Sequence, residues 1–383
     1  MCFRFFLLGL CMLSATATSA ATITVRRDGT GAYSVIQQAL DAAADGDTIL
    51  IGPGEYTETT TIHPPGWPGD LEVYGEIRQQ RLTIIGAGAD VTIIGPTVHA
   101  PDWNAESPEG LATDAPKDSI TISDLTVRNC FKGIALNCSL QMERCHVENN
   151  EFGLSWTARG AGGTVRECRF STTGALDPIG LYVRGVAGVL VEDCEFVRAG
   201  PYVDNAAAVF RACRVSGPDV VGFYAASGIC ELWDCTISDV EIGLTTGYVG
   251  SRCEIHDSQI AATFYALRVD HRTSAFVENT ILSGGSDSVV RLRDADAVTI
   301  HGCDFVRGVG PVIRCSRQAA LGLVAHDVAN NYWGTSEESQ VQEWIIDMVD
   351  DPNIYATVLY SPFAGQSLPT ESTSWGDLKA SFR

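Results

Sequence analysis

Four arginines, an aspartate and a histidine recur at a spacing that could serve anion chemistry. Arg268, Arg291 and Arg314 are separated by 23 residues each time, and Asp270 and Arg293 lie two positions beyond the first two. His271 follows Asp270 directly. If residues 23 apart occupy neighbouring strands, the guanidinium groups stand about 4.8 Å apart. Each could then hold a carboxylate through two parallel N–H bonds. Tyr182 and Tyr224 fall in the same column in earlier copies, where flat rings could stack on a ligand. A catalytic reading takes Arg268, Asp270, His271 and Arg291 as a proton-transfer group. Arginine resists deprotonation, so His271 is the alternative base. The plainer reading is an exposed charge ladder in which Asp270 neutralises its arginine neighbours.

The column exists only if the chain is a solenoid, and a second repeat says that it is. An apolar residue, two variable residues, a cysteine, one variable residue and another apolar residue recur around Cys145, Cys168, Cys194, Cys213, Cys235 and Cys303. Leu125, Ser258 and Thr280 take the middle place in three further copies. Successive middle positions are 20, 23, 26, 19, 22, 23, 22 and 23 residues apart, a period that marks stacked coils. The two apolar positions differ in parity, so the backbone must bend between them. About eight residues later comes a third strand that opens with Gly and an apolar residue, as in Gly180-Leu181 and Gly243-Leu244. Three short strands per coil predict an all-β, right-handed single-stranded parallel β-helix with three faces and short helical caps at both ends. A leucine-rich repeat shares the period, but it requires Leu-dominated strands and usually a helical segment in each coil.

The position before the cysteine carries Asp124, Glu167, Asp193, Asp234 and Asp257, with Arg144, Ala212, Asn279 and Gly302 in other copies. Stacked carboxylates could hold Ca²⁺; solvated bend residues are the alternative. Stacked cysteines point inward with parallel Cβ vectors, which suits a ladder of buried thiols better than disulfides.

A formal charge of −21 excludes a nucleic-acid binder, which needs a basic footprint. It also makes a polyanionic ligand depend on a local basic patch or a bridging cation. Residues 1–20 read as a secretory signal: Arg4, an apolar run from Phe5 to Leu13, and Thr18-Ser19-Ala20 as the cleavage site. That run is too short to span a bilayer. The expectation is therefore a secreted or periplasmic protein with no membrane span, and a monomer.

Residues 21–361 form the expected β-helix domain and 362–383 a flexible tail. Ser34-Val-Ile-Gln37 and Thr335-Ser-Glu-Glu338 have capping-box spacing and predict the cap helices. The first would place Ile36, Ala39, Leu40 and Ala43 on one face and stop at Gly46; the second would place Val341, Trp344, Ile345 and Met348 together. Residues 61–80 and 97–117 read as long irregular loops, and their Trp67 and Trp103 are further candidates for ligand contact.

The run from Asp28 to Asp41, followed by Gly46-Asp-Thr-Ile-Leu-Ile-Gly-Pro-Gly-Glu-Tyr56, resembles the N-terminal cap of pectin-lyase-like right-handed parallel β-helix proteins. Asn330-Asn-Tyr-Trp-Gly334 and Asp350-Asp351 look like the C-terminal end of functionally uncharacterised bacterial members. The resemblance covers nearly the whole chain after residue 20. It implies a polysaccharide or cell-surface glycan as partner, held on the outer face of the third sheet. The fold also hosts non-catalytic surface and adhesion proteins. The motifs of polygalacturonase-like hydrolases (Asn-Thr-Asp, Gly-His-Gly, Arg-Ile-Lys) and of pectin methylesterases are absent. Lyase, hydrolase and non-catalytic scaffold therefore all stay open.

Overall fold

The computed structural model describes residues 20–63, 69–98, 107–157, 162–173 and 178–367. Trp67, Trp103, the signal segment up to residue 19 and the tail beyond residue 367 lie outside the described residues.

The chain winds into a parallel β-solenoid of about 12 turns. Each full turn contributes a strand to three sheets. The first sheet runs from Thr22–Val25 through Thr48–Ile51, Arg81–Gly86 and Ser119–Ser123 to Val324–Asp327 and Ala356–Leu359. The second holds the strands that follow the cysteine, from Gly54–Tyr56 to Asp304–Arg307. The third begins at Leu71–Ile77 and includes Ile179–Arg184, Val290–Arg293 and Ile313–Ser316. Longer strands such as Val221–Trp233 and Gln259–Asp270 turn a corner and serve two sheets. The described strand pairs are parallel except Thr60–Ile62 with Leu71–Ile77.

The bend between the first two sheets explains both the cysteine and the residue before it. Asp124, Arg144, Glu167, Asp193, Ala212, Asp234, Asp257, Asn279 and Gly302 all have φ between 48° and 61°. This left-handed conformation reverses the parity of the strand, and among non-glycine residues it favours Asn and Asp. The acidic column is thus bend geometry. Except at Leu125, the next residue staples the bend. Its side chain donates to the carbonyl two residues back, as Cys168 Sγ does to Arg166 O (3.1 Å) and Ser258 Oγ to His256 O (2.7 Å). It also receives the bend N–H of the preceding coil: Cys145 N donates to Cys168 Sγ (3.4 Å), and Cys235 N to Ser258 Oγ (3.1 Å). That is why Ser and Thr can stand in for Cys. The eleven described cysteines are buried and free.

Behind the bends the interior is apolar along its length, with Phe170 and Phe196 stacked 4.9 Å apart on successive coils. Both caps form, though not as their spacing predicts. The first helix, Ile36–Ala42, buries Ile36, Ala39 and Leu40 but lacks a side-chain cap and ends before Gly46. Gln37 instead accepts from Glu76 N (2.8 Å) and donates to Asp41 (2.9 Å), tying the helix to the third sheet rather than to its own N-terminus. The second, Glu338–Glu343, is shorter than expected. Ile345 leaves the helix because it pairs with Ile313 as the last rung of the third sheet. The stretches 61–80 and 97–117 are also more regular than expected. Leu71–Ile77 and Glu109–Thr113 pair in parallel and extend the third sheet ahead of the cysteine repeat.

Candidate functional site

On the outer face of the third sheet one column runs Ser155, Tyr182, Tyr202, Tyr224, Thr245, Arg268, Arg291, Arg314, each paired in register with the next. A 23-residue ruler therefore places the arginines correctly. It misses Tyr202, because that coil is short (19 residues between Cys194 and Cys213) and opens with Gly200-Pro201 instead of Gly and an apolar residue.

The N-terminal half of the face is aromatic, Phe131 and Phe152 lying beside the column rather than in it. Ring centroids step from Phe131 to Phe152 (5.8 Å), to Tyr182 (6.1 Å), to Tyr202 (5.5 Å) and to Tyr224 (4.7 Å, planes 12° apart). Burial raises the phenol pKa values of Tyr182 and Tyr224 and pushes Tyr202 up to about 12, so all three remain O–H donors at neutral pH. Tyr182 OH donates to Asp204 Oδ2 (3.3 Å), which also pairs with Arg184 Nε (3.3 Å). Tyr248, in the turn after Thr246, is exposed and borders Tyr202 and Tyr224. The turn passes so close that a Cβ on Gly247 would lie 2.2 Å from the Tyr224 hydroxyl, so any larger residue there would have to displace that ring.

The C-terminal half is cationic. Asp270 is 2% exposed and lies beneath the surface, its Oδ2 2.7 Å from Arg268 Nε and 2.9 Å from Arg293 Nη2. Its backbone N–H donates to Thr246 Oγ1 (3.0 Å), and its carbonyl accepts from Thr273 Oγ1 (2.6 Å). Asp270 thus fixes two guanidinium groups and is itself covered. His271 sits on the following bend with φ 54°, exposed, and its Nε2 lies 2.8 Å from Arg293 Nη2. The guanidinium can only donate, so Nε2 accepts and its lone pair is engaged. Arg314 pairs with Asp287 (3.5 Å). Arg291, between Arg268 and Arg314, meets a neutral partner, Ser316 Oγ at 3.3 Å, leaving most of its donors for a ligand. Three of the four guanidinium groups thus pair with two carboxylates, Asp270 and Asp287, and Arg291 pairs with neither, inside a strongly acidic chain.

The structure therefore brings Arg268, Asp270, His271, Arg291, Arg293 and Arg314 together on adjoining rungs, with Tyr182 and Tyr224 further along the same face. No group of three or more His, Cys, Asp or Glu among the described residues is arranged to hold a metal ion. In the bend column the Asp124 carboxylate is taken by Arg144 at 2.7 and 2.9 Å. Asp234 is raised from its ordinary value by burial and by the charge of Asp257. On the first sheet, Trp233 stacks on His256 (3.8 Å), whose Nδ1 is 2.8 Å from Glu278; that imidazole is buried and faces its neighbours rather than solvent.

No family model matches the chain, and no curated protein matches it. Among solved structures it is similar to the A-module of a mannuronan C-5 epimerase from Azotobacter vinelandii. That likeness has 15% identity and a TM-score of 0.54, and covers 87% of this chain and 94% of the module. It is also similar to the catalytic unit of a thermostable α-1,3-glucanase of glycoside hydrolase family 87 from Streptomyces thermodiastaticus. There the identity is 13% and the TM-score 0.48, over 82% of this chain and 69% of that one, too distant to carry an argument. Taken with the coil geometry, the first likeness makes the chain a parallel β-helix of the pectin-lyase-like fold.

Proposed function

We propose that this chain is an exported protein that recognises a polysaccharide lengthwise along the outer face of its third sheet. The observation that carries the reading is the in-register column from Tyr182 to Arg314, in which rings and then, past the single rung of Thr245, guanidinium groups repeat once per rung. A rung advances about 4.8 Å, close to the length of one pyranose unit, so a sugar chain laid along the axis stays in step with the side chains. Phenol rings stack on sugar faces and their hydroxyls donate to ring oxygens. Arg291, flanked by Arg268 and Arg314, is the group to hold an acidic substituent, with Arg293 beside it and Asp270 positioning Arg268 and Arg293 underneath. The name of one fold neighbour, a mannuronan epimerase, belongs to a protein that acts on a polysaccharide and supports the substrate class.

Recognition fits the geometry better than cleavage. Among the residues proposed for proton transfer, Asp270 is covered and His271 has its Nε2 lone pair engaged by Arg293. The test is a panel of neutral, uronic and mixed glycans, measured for binding and for unsaturated products and new reducing ends. Binding without turnover is the expected result. Turnover abolished by His271→Ala would replace recognition with catalysis, and absence of binding to every glycan would end the proposal.

A further inference from the structure

The face is polar along its length, and we infer from this that the ligand is a heteropolysaccharide in which an acidic unit adjoins a run of uncharged ones. The inference rests on the reading just given and names the ligand class for the same face. A uniformly charged polyuronate would place a carboxylate on every rung, so every rung would need a free cation. Among the described residues, the aromatic rungs supply none. The cations of the third-sheet strands from Lys132–Leu136 to Tyr224 are Lys132 and Arg184. Lys132 lies 2.6 Å from Glu109, and Arg184 lies 3.3 Å from Asp204, which the Tyr182 hydroxyl also engages. A carboxylate laid there meets a surface already neutral and must shed water without compensation. Uncharged rings lose little on the same platform and gain stacking.

Two rungs beyond Tyr224 the balance reverses. Arg268, Arg291, Arg293 and Arg314 outnumber their carboxylates: Arg293 Nε is buried with no hydrogen-bond partner, and Arg314 Nε reaches Asp287 only at 3.5 Å. Between the two halves stands Thr245, 4% exposed, where the long side chains give way to a short one. Tyr224 lies on one side of it, Arg268 on the other, and Tyr248 borders the tyrosine side. The ligand changes from uncharged to acidic at this rung, and the uncharged run points toward the N-terminal cap.

The experiment uses the whole chain and three soluble glycans of similar length: unsubstituted xylan fragments, polygalacturonate fragments, and glucuronoxylan fragments that carry an acidic unit on an uncharged backbone. Isothermal titration should give the mixed glycan the highest affinity. Its margin over each of the others should be about tenfold, the worth of one charge-assisted hydrogen bond or one stacked ring. Arg291→Gln should bring the mixed glycan down to the level of xylan, and Tyr202→Leu down to the level of polygalacturonate. Unchanged melting temperatures would show that both variants are folded. Polygalacturonate binding as tightly as glucuronoxylan overturns the inference and leaves polysaccharide recognition standing. No binding by any of the three overturns both.

Discussion

Asp270 and Arg291 are both on the third-sheet face proposed to meet the ligand, but they do different work. Asp270 holds Arg268 and Arg293 from beneath and is covered, so Asp270→Asn leaves two partly buried guanidinium groups without their counter-charge. Its cost to stability should be about 1–3 kcal/mol, reduced from the value for a fully buried pair by the exposure of both arginines. Denaturant unfolding would measure it. Arg291 has only a 3.3 Å contact with Ser316, so Arg291→Ala should leave unfolding within about 0.5 kcal/mol of wild type. A large loss there would show that Arg291 is structural. At this scale the sequence reveals which residues share a column, since the period is a count. It does not reveal that Asp270 is buried, because burial at the end of a strand depends on Thr246 and Thr273 folding over it.

The coil is built at its bends. At every bend of the repeat except the one at Leu125, the left-handed residue is followed by a side chain that donates to the carbonyl two residues back, and the thiol does this in six of the described coils. Cys194→Val loses that donor and should cost about 1 kcal/mol, whereas Cys194→Ser keeps it, as Ser258 does natively. Cys194→Arg buries an unpaired charge in mid-array and should abolish soluble expression. Burial also pushes Cys138, Cys253, Cys303 and Cys315 up to about 12, which suppresses the thiolate. The native protein should therefore resist maleimide, and all eleven thiols should react after denaturation without reductant. Fewer would mean that some are bridged. The cysteine position is legible in the sequence as an inward column; its role as a staple is not, since a hydrogen bond to a backbone carbonyl leaves no pattern of its own. The caps show the converse. Their apolar spacing is legible, yet Gln37 bonds across to Glu76 and Ile345 joins a strand, because the neighbouring coil offers partners that spacing cannot show.

For the whole molecule, one buried imidazole near the C-terminal cap ties stability to pH. His326 is 1% exposed in the coil near the C-terminal cap, and burial lowers its pKa to about 4 from a usual value near 6.5. The unfolded chain takes up a proton at this site that the folded chain refuses. The contribution of a neutral His326 is therefore complete above about pH 6.5 and is lost as pH falls toward 4, by about 3 kcal/mol in all. Unfolding midpoints between pH 7.5 and 4.5 should converge for wild type and His326→Leu at the upper end and separate at the lower; parallel curves would assign the acid loss to other groups. The solenoid itself is legible in the sequence because a fixed period survives variation in every coil. The aromatic half of the third-sheet face is only partly so, since the short coil around Tyr202 breaks the count that locates Tyr182 and Tyr224.

The most direct measurement compares glycan binding by three forms of the protein: wild type, a third-sheet variant carrying Tyr202→Leu with Arg291→Gln, and a first-sheet variant, Arg211→Gln, whose arginine is exposed on a different face. The third-sheet variant should lose at least about tenfold in affinity for glucuronoxylan fragments while the first-sheet variant binds as wild type does. Equal binding by wild type and the third-sheet variant would contradict the assignment of this face.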